Sequence, residues 1–152
     1  MAEQPDKPGR LPPNWFIRIA WAVHRAIVRL TGGRRGIWRA TPEKWGTLRL
    51  HTVGRKRGKE RIAILGYYED GPNVVTLAMN GWMEGEPGWW LNLKAEPDVT
   101  IEMVDGPRAV HAREAQGEER QRLWPMFHDA RLYVARRATP TAVVVLEPRT
   151  AD

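Results

Sequence analysis

The sequence predicts an α+β fold in which about six short antiparallel strands curl into a small barrel flanked by helices. Three observations lead there. Apolar and polar residues alternate with period two in several short stretches, the pattern of half-buried strands. Hairpin-length connections join most of these stretches, which makes the neighbours antiparallel. Helical periodicity marks the N-terminal segment and two later ones, and six short strands need a sheet that curls.

Residues 1–13 are polar and rich in proline and glycine, and read as a disordered lead-in to a single domain, 14–152. In segment 14–31, Asn14, Arg18, Arg25 and Arg29 share one face, while Phe16, Ile17, Trp21, Val23, Ile27, Val28 and Leu30 cover much of the rest. This is an amphipathic helix, ended by Gly32-Gly33. Two roles fit it: packing its broad apolar side on the domain, or lying on an anionic membrane surface. After an irregular stretch at 34–46, alternation marks strands at 47–53 and 61–69. Asp70-Gly71-Pro72-Asn73 is a turn signature, followed by a third strand at 73–79. The loop 80–86 leads to Pro87, which suits the first turn of a short helix reaching about Ala95 and stopped by Pro97. Stretches 98–104 and 108–115 form a hairpin about Asp105-Gly106. A charged helix starts near Gly117, is interrupted at Pro125 and continues to about Arg137, before a last strand at 141–146. The barrel therefore spans 47–148.

Composition narrows the function. The chain has no cysteine, which removes disulfides, thiolate metal sites and cysteine nucleophiles and points to a reducing cytoplasm. Four histidines without ligand spacing give no metal site. No signal peptide is evident in the first residues, and the most apolar stretch is cut by Arg18, Arg25 and Arg29, so it is not expected to span a bilayer. Twenty-four Lys and Arg against 18 Asp and Glu give a net charge of +6, which calls for an anionic partner. Eight tryptophans offer large flat surfaces.

Two stretches concentrate chemistry. The connection 54–61 carries Arg55, Lys56, Arg57, Lys59 and Arg61 around Gly54 and Gly58. A glycine-bracketed turn can curl its amides around an anion, with Arg55 and Arg61 gripping phosphate and Lys56 as a point charge. A solvated hairpin tip and a nonspecific nucleic-acid contact are the other readings of the same charges. The second stretch, 79–95, combines Gly81, Gly85 and Gly88 with Trp82, Trp89 and Trp90 at the start of a helix, which suits an anion or a flat ring. Trp90 and Leu93 read as core. The chain contains no serine, and no nucleophile–base pair stands out, so no catalytic residue is assigned. His51 reads as a satisfied strand histidine. An anion cradle, flat aromatics and no acid–base machinery point to a cofactor that supplies the chemistry.

The run Leu50-His51-Thr52-Val53-Gly54-Arg55-Lys56-Arg57-Gly58-Lys59-Glu60-Arg61 resembles the T-x-GRKSG-x-x-R motif of the deazaflavin (F420)-dependent nitroreductase and quinone reductase family. The later run Pro87-Gly88-Trp89-Trp90-Leu91-Asn92-Leu93-Lys94-Ala95-Glu96-Pro97 resembles its P-x-WY-x-NL-x-A-x-P segment. Glu118-Glu119-Arg120, Trp124-Pro125 and the closing Val143-Val144-Val145-Leu146-Glu147-Pro148 extend the likeness to about residues 45–148. The resemblance implies a split β-barrel like that of the flavin-binding pyridoxamine-oxidase group, with coenzyme F420 as cofactor and FMN as the alternative. It implies an oxidoreductase passing hydride to a small-molecule acceptor. A non-catalytic carrier of deazaflavin or lipid is the rival from another class.

Carried over by position, the resemblance implies that Arg55, Lys56 and Arg61 hold the cofactor's phosphate and glutamate tail, that Trp89 lies beside the ring, and that backbone at Ala78, Met79 and Asn80 meets it. Met79-Asn80-Gly81-Trp82 replaces a Ser-Lys-Gly-Gly type loop, Trp89-Trp90 replaces Trp-Tyr, and the 126–140 stretch holds one tyrosine, Tyr133. These departures point away from nitroaromatics and toward a lipophilic acceptor: a quinone, an enoate or an unsaturated lipid-like chain. Trp82, Met83 and Tyr133 would wall it. A homodimer is expected by analogy with other split barrels, a specific nucleic-acid partner is not, and the protein is expected in the cytoplasm, with the N-terminal helix able to place it at the inner membrane face.

Overall fold

A computed structural model describes residues 13–30, 36–79, 84–130, 134–135 and 137–150. Residues 1–12 of the expected lead-in lie outside the described residues. The chain begins with helix α1 (Asn14–Leu30) and then forms strands β1 (Gly46–Val53), β2 (Glu60–Asp70) and β3 (Asn73–Leu77). Helix α2 (Gly88–Ala95) precedes strands β4 (Asp98–Met103) and β5 (Gly106–Ala115). Helix α3 (Gly117–Leu123), a 3-10 turn (Trp124–Phe127) and strand β6 (Val143–Pro148) complete it. The six strands close into an antiparallel barrel in the order β1-β2-β3-β6-β5-β4, as expected of a split barrel.

Alternation sorts the side chains into two layers, because successive residues of a strand point to opposite faces. Leu48, Leu50, Leu65, Tyr67, Val74, Ile101, Val110, Val144 and Leu146 fill the barrel, and Trp90 and Leu93 of α2 join them. Tyr68, Val75, Leu77, Val143 and Val145 face outward, where Leu123 and Phe127 cover them. Each such aliphatic side chain contributes about 1.5–3 kcal/mol on burial. The barrel closes where β1 meets β4 through Arg49↔Glu102, Leu50↔Ile101 and His51↔Thr100.

Three boundaries differ from the sequence reading, each for a local reason. Strand β3 stops at Leu77 because the Met79 amide turns back to the Leu77 carbonyl (2.9 Å) while Ala78 donates to Ala142 (2.9 Å). The last strand begins at Val143 rather than 141 and runs on to Pro148. The charged helix ends at Leu123, just ahead of the interruption expected at Pro125, which has no amide hydrogen and sits in a 3-10 turn; 128–130 are turns, Val134 is again helical with its amide on Ala130 O (3.0 Å), and 131–133 and 136 lie outside the described residues.

Helix α1 leaves Trp15, Phe16, Ile19 and Val23 exposed, and among its described side chains Ile17 is the buried one. Trp15 and Phe16 pack edge to face on each other instead, with ring centroids 6.1 Å apart.

Candidate functional site

The β1–β2 hairpin and α2 enclose a groove of about 470 Å³ at one end of the barrel. Register places Thr52 opposite Arg61 at the hairpin's base. Beyond them the turn closes on itself: Gly54 N donates to Lys59 O (2.7 Å) and Gly58 N to Gly54 O (2.8 Å), with Gly58 at φ +68. That conformation favours glycine, and it spreads the basic side chains around the groove. Arg55, Lys56, Arg57, Lys59 and Arg61 all line it, together with Ile62, Gly88 and Trp89. Among the described residues, none of these five cations forms an ion pair. Five like charges without a carboxylate repel one another, and an anionic ligand offsets that repulsion.

Asn92 fixes this arrangement. It is buried, at 5% exposure. Its Oδ1 accepts from the Arg55 amide (3.2 Å) and from Arg55 Nη1 (3.1 Å), and its Nδ2 donates to Thr52 Oγ1 (3.2 Å). One amide side chain thus ties α2 to the β1 end of the basic turn. Helix α2 buries Asn92 together with Trp90 and Leu93. A side chain added at Gly88 would meet nothing within 4 Å, so this lip of the groove is open to a ligand.

A second cavity of about 390 Å³ adjoins the same strand on the barrel's outer face. Ile17 and Trp21 of α1, Trp45, Ile64, Met79 and Phe127 supply most of its apolar wall. Trp45 lies flat on Gly66, where a Cβ would come within 3.1 Å of its ring. Polar groups enter through Tyr68, whose hydroxyl donates to Asp129 at 3.1 and 3.2 Å. Burial first, and then the adjacent Asp129 carboxylate, push the Tyr68 phenol up to about 12. Ile62 lines the groove and Ile64 the cavity. Two residues along a strand separate them, which is about 7 Å.

The structure therefore brings Arg55, Lys56, Arg61 and Trp89 together and sets Met79 in the second cavity. Ala78 is buried; its carbonyl accepts from Arg137 Nη1 (3.1 Å). Arg137, itself buried, also donates to Gly85 O (2.7 Å) and Thr141 Oγ1 (2.9 Å), which ties Ala78 and Gly85 to the segment before β6. Asn80, Trp82, Met83 and Tyr133 lie outside the described residues. His51 is not part of the groove lining. It stands between Glu60 (Nδ1, 3.3 Å) and Glu102 (Nε2, 3.3 Å), the latter at ion-pair distance rather than in hydrogen-bond alignment. Trp90 is core, as read. No group of three metal-ligating side chains occurs among the described residues.

Sequence reasoning missed Asn92, Tyr68 and Asp129 as site residues. Asn92 carried a readable signal, a lone polar residue in the apolar run from Trp89 to Leu93. Tyr68 and Asp129 carried none, since 61 positions separate them in the chain.

Comparison with known proteins decides what kind of site this is. The family model described as F420H(2)-dependent quinone reductase matches residues 21–148. The chain belongs to the F420H(2)-dependent quinone reductase family. It is 36% identical over 134 residues to the F420H(2)-dependent quinone reductase Rv1261c of Mycobacterium tuberculosis, covering 84% of this chain and 89% of that one. Among solved structures, an F420-H2 dependent reductase of the FDR-A group shares 28% identity at a TM-score of 0.60, over 66% of this chain and 93% of its own. A chain solved as a domain-swapped dimer shares 26% identity at a TM-score of 0.62, over 86% and 99%. Membership in this quinone reductase family makes the protein an oxidoreductase with coenzyme F420 as its cofactor and a quinone-like acceptor. The groove fits that cofactor's chemistry: unpaired cations suit a phosphate and several carboxylates, and Trp89 suits a flat ring.

Proposed function

We propose that the cationic groove holds coenzyme F420 by its phosphate and glutamate tail, and that the adjoining apolar cavity receives the acceptor. The observation that carries this reading is the juxtaposition along β2 of five unpaired cations and an apolar, tryptophan-lined cavity. Arg55 and Arg61 take phosphate oxygens in bidentate fashion and Lys56 adds a point charge. Asn92 keeps Arg55 aimed, and Trp89 flanks the ring, which meets backbone at Ala78, Met79 and Asn80. When bound, the reduced deazaflavin supplies the hydride. What the chain contributes is alignment of donor and acceptor and exclusion of water by Trp21, Trp45, Ile64 and Phe127. Trp82, Met83 and Tyr133 are the further acceptor walls of this reading. Five cations exceed what the single phosphate of FMN requires, which favours the longer, polyanionic deazaflavin.

The acceptor is a lipophilic quinone, with an enoate or an unsaturated lipid-like chain as the next candidates; the apolar wall supports this choice. The same wall supports a membrane role for α1. Ile17 and Trp21 line the cavity, while Trp15, Phe16, Ile19 and Val23 on the helix face outward beside Arg18. A helix so built rests on anionic lipid at the inner membrane face and shortens the water gap a lipid-soluble acceptor must cross. Among the described residues no helix is long and apolar enough to cross a membrane. We also infer a homodimer, as the solved neighbour forms in domain-swapped form; light scattering of the full chain tests it.

The proposed function is tested by anaerobic mixing of purified protein with reduced coenzyme F420 and a short-chain naphthoquinone. Stoichiometric reappearance of deazaflavin absorbance with quinol formed is expected. Binding without turnover across quinones, enoates and unsaturated lipids would make the chain a carrier.

A further inference from the structure

We propose that Tyr68 is the proton donor of the acceptor cavity and that Asp129 links it to solvent. This rests on the reading of that cavity as the acceptor site. Tyr68 is buried at 2% exposure on the cavity wall, whereas Asp129 is exposed at its rim. Their hydrogen bonds of 3.1 and 3.2 Å therefore run from bulk water to the interior. The phenol ring is held edge to face by Phe127, with centroids 5.6 Å apart, and the His128 ring stands 6.1 Å away. His128 itself is tied to Met126 O (3.1 Å), and no other titratable side chain is recorded against the phenol among the described residues.

Chemistry gives this pair a task. A quinone that takes hydride gains two electrons and one hydrogen, which leaves the second oxygen as an oxyanion. One proton completes the hydroquinone. The reduced deazaflavin would give up those two electrons as hydride and would release one ring proton to water, which matches the proton drawn in for the acceptor. In an apolar cavity the oxyanion is costly unless a donor reaches it. Burial and the neighbouring carboxylate hold the Tyr68 proton in place at ordinary pH. The Tyr68 O–H swings from Asp129 to the acceptor oxygen and breaks as the acceptor O–H forms. A proton arriving from water through Asp129 restores the phenol, so protons and electrons balance with none left on the protein.

Two measurements test the assignment. The first compares single-turnover oxidation of bound reduced coenzyme F420 by a naphthoquinone and by an N-methylacridinium cation, which becomes neutral on taking hydride and needs no proton. Tyr68→Phe is expected to slow the quinone reaction by about 10²-fold, with the acridinium rate changed by less than about twofold. Asp129→Asn is expected to slow the quinone reaction less and the acridinium reaction not at all. Equal losses with both acceptors, or no loss with either, would overturn the proposal. The second needs no cofactor: quenching of tryptophan fluorescence by a hydroxynaphthoquinone anion, a stand-in for the half-reduced product. Wild type should bind it about tenfold more tightly than Tyr68→Phe, the weight of one charge-assisted hydrogen bond. Equal affinity would overturn the donor role. If wild type oxidised no cofactor with either acceptor, the acceptor-site reading itself would fail, while the anion measurement would still judge Tyr68.

Discussion

Asn92 joins two segments that lie far apart in sequence, because one short amide has both the acceptor for Arg55 and the donor for Thr52. Replacing it with alanine leaves the Arg55 amide without a partner and removes the donor to Thr52 Oγ1, which keeps its own bond to Arg61 O (3.3 Å). The expected cost is about 1–3 kcal/mol of stability, with weaker cofactor binding as Arg55 loses its aim. Chemical denaturation and a cofactor titration on Asn92→Ala read the two effects separately. A different set of residues governs the acid limit. Hydrogen bonds from Arg122 hold the Asp70 carboxyl below its ordinary value, and those from Arg113 do the same for Glu119. A depressed folded-state carboxylate contributes stability that is fully present above its unfolded value, near 4, and lost as pH falls through the folded value. Urea midpoints should therefore hold from neutral pH to about pH 5 and fall below it, with Asp70→Asn flattening part of that fall. The basic turn and Trp89 were legible in the sequence, because charge clusters and glycines sit side by side there. Tyr68 and Asp129 were not, because only the fold brings them into contact.

At the scale of elements, period-two alternation located every strand, and the residual errors fell where backbone hydrogen bonds overrule side-chain pattern. Met79 continues the apolar alternation of β3 but turns out of the ladder, and Pro125 converts a helix into a 3-10 turn. Gly46 shows a constraint that no pattern reveals. A Cβ there would lie 2.5 Å from Ala40 N and 2.7 Å from Trp38 O, both backbone atoms of the segment tucked under β1. Gly46→Ala is expected to destabilise by about 1–3 kcal/mol through overpacking. Gly88→Ala, whose Cβ meets nothing within 4 Å, should fold normally and makes a matched control by thermal denaturation.

The whole molecule is a small barrel whose charge and apolar surface are both unevenly placed. Groove cations gather at one end, while α1 leaves Trp15, Phe16, Ile19 and Val23 in contact with water. Helical periodicity predicted an apolar side for α1, but which surface meets that side is decided in three dimensions, so its exposure was not legible. Co-sedimentation with vesicles rich in anionic lipid should capture the full chain and release it with salt. Trp15→Ala/Phe16→Ala should bind less while retaining its barrel, and equal binding by that variant would remove the lipid role for α1.

The central claim is that the cationic groove is the seat of the cofactor, and fluorescence titration with oxidised coenzyme F420 tests it most directly, run on wild type and on the Arg55→Ala/Lys56→Ala variant beside FMN. Wild type should bind the deazaflavin and ignore FMN, and the variant should lose about 10²-fold or more in affinity, roughly two charge-assisted contacts. Unchanged affinity in the variant, or a preference for FMN, would contradict it.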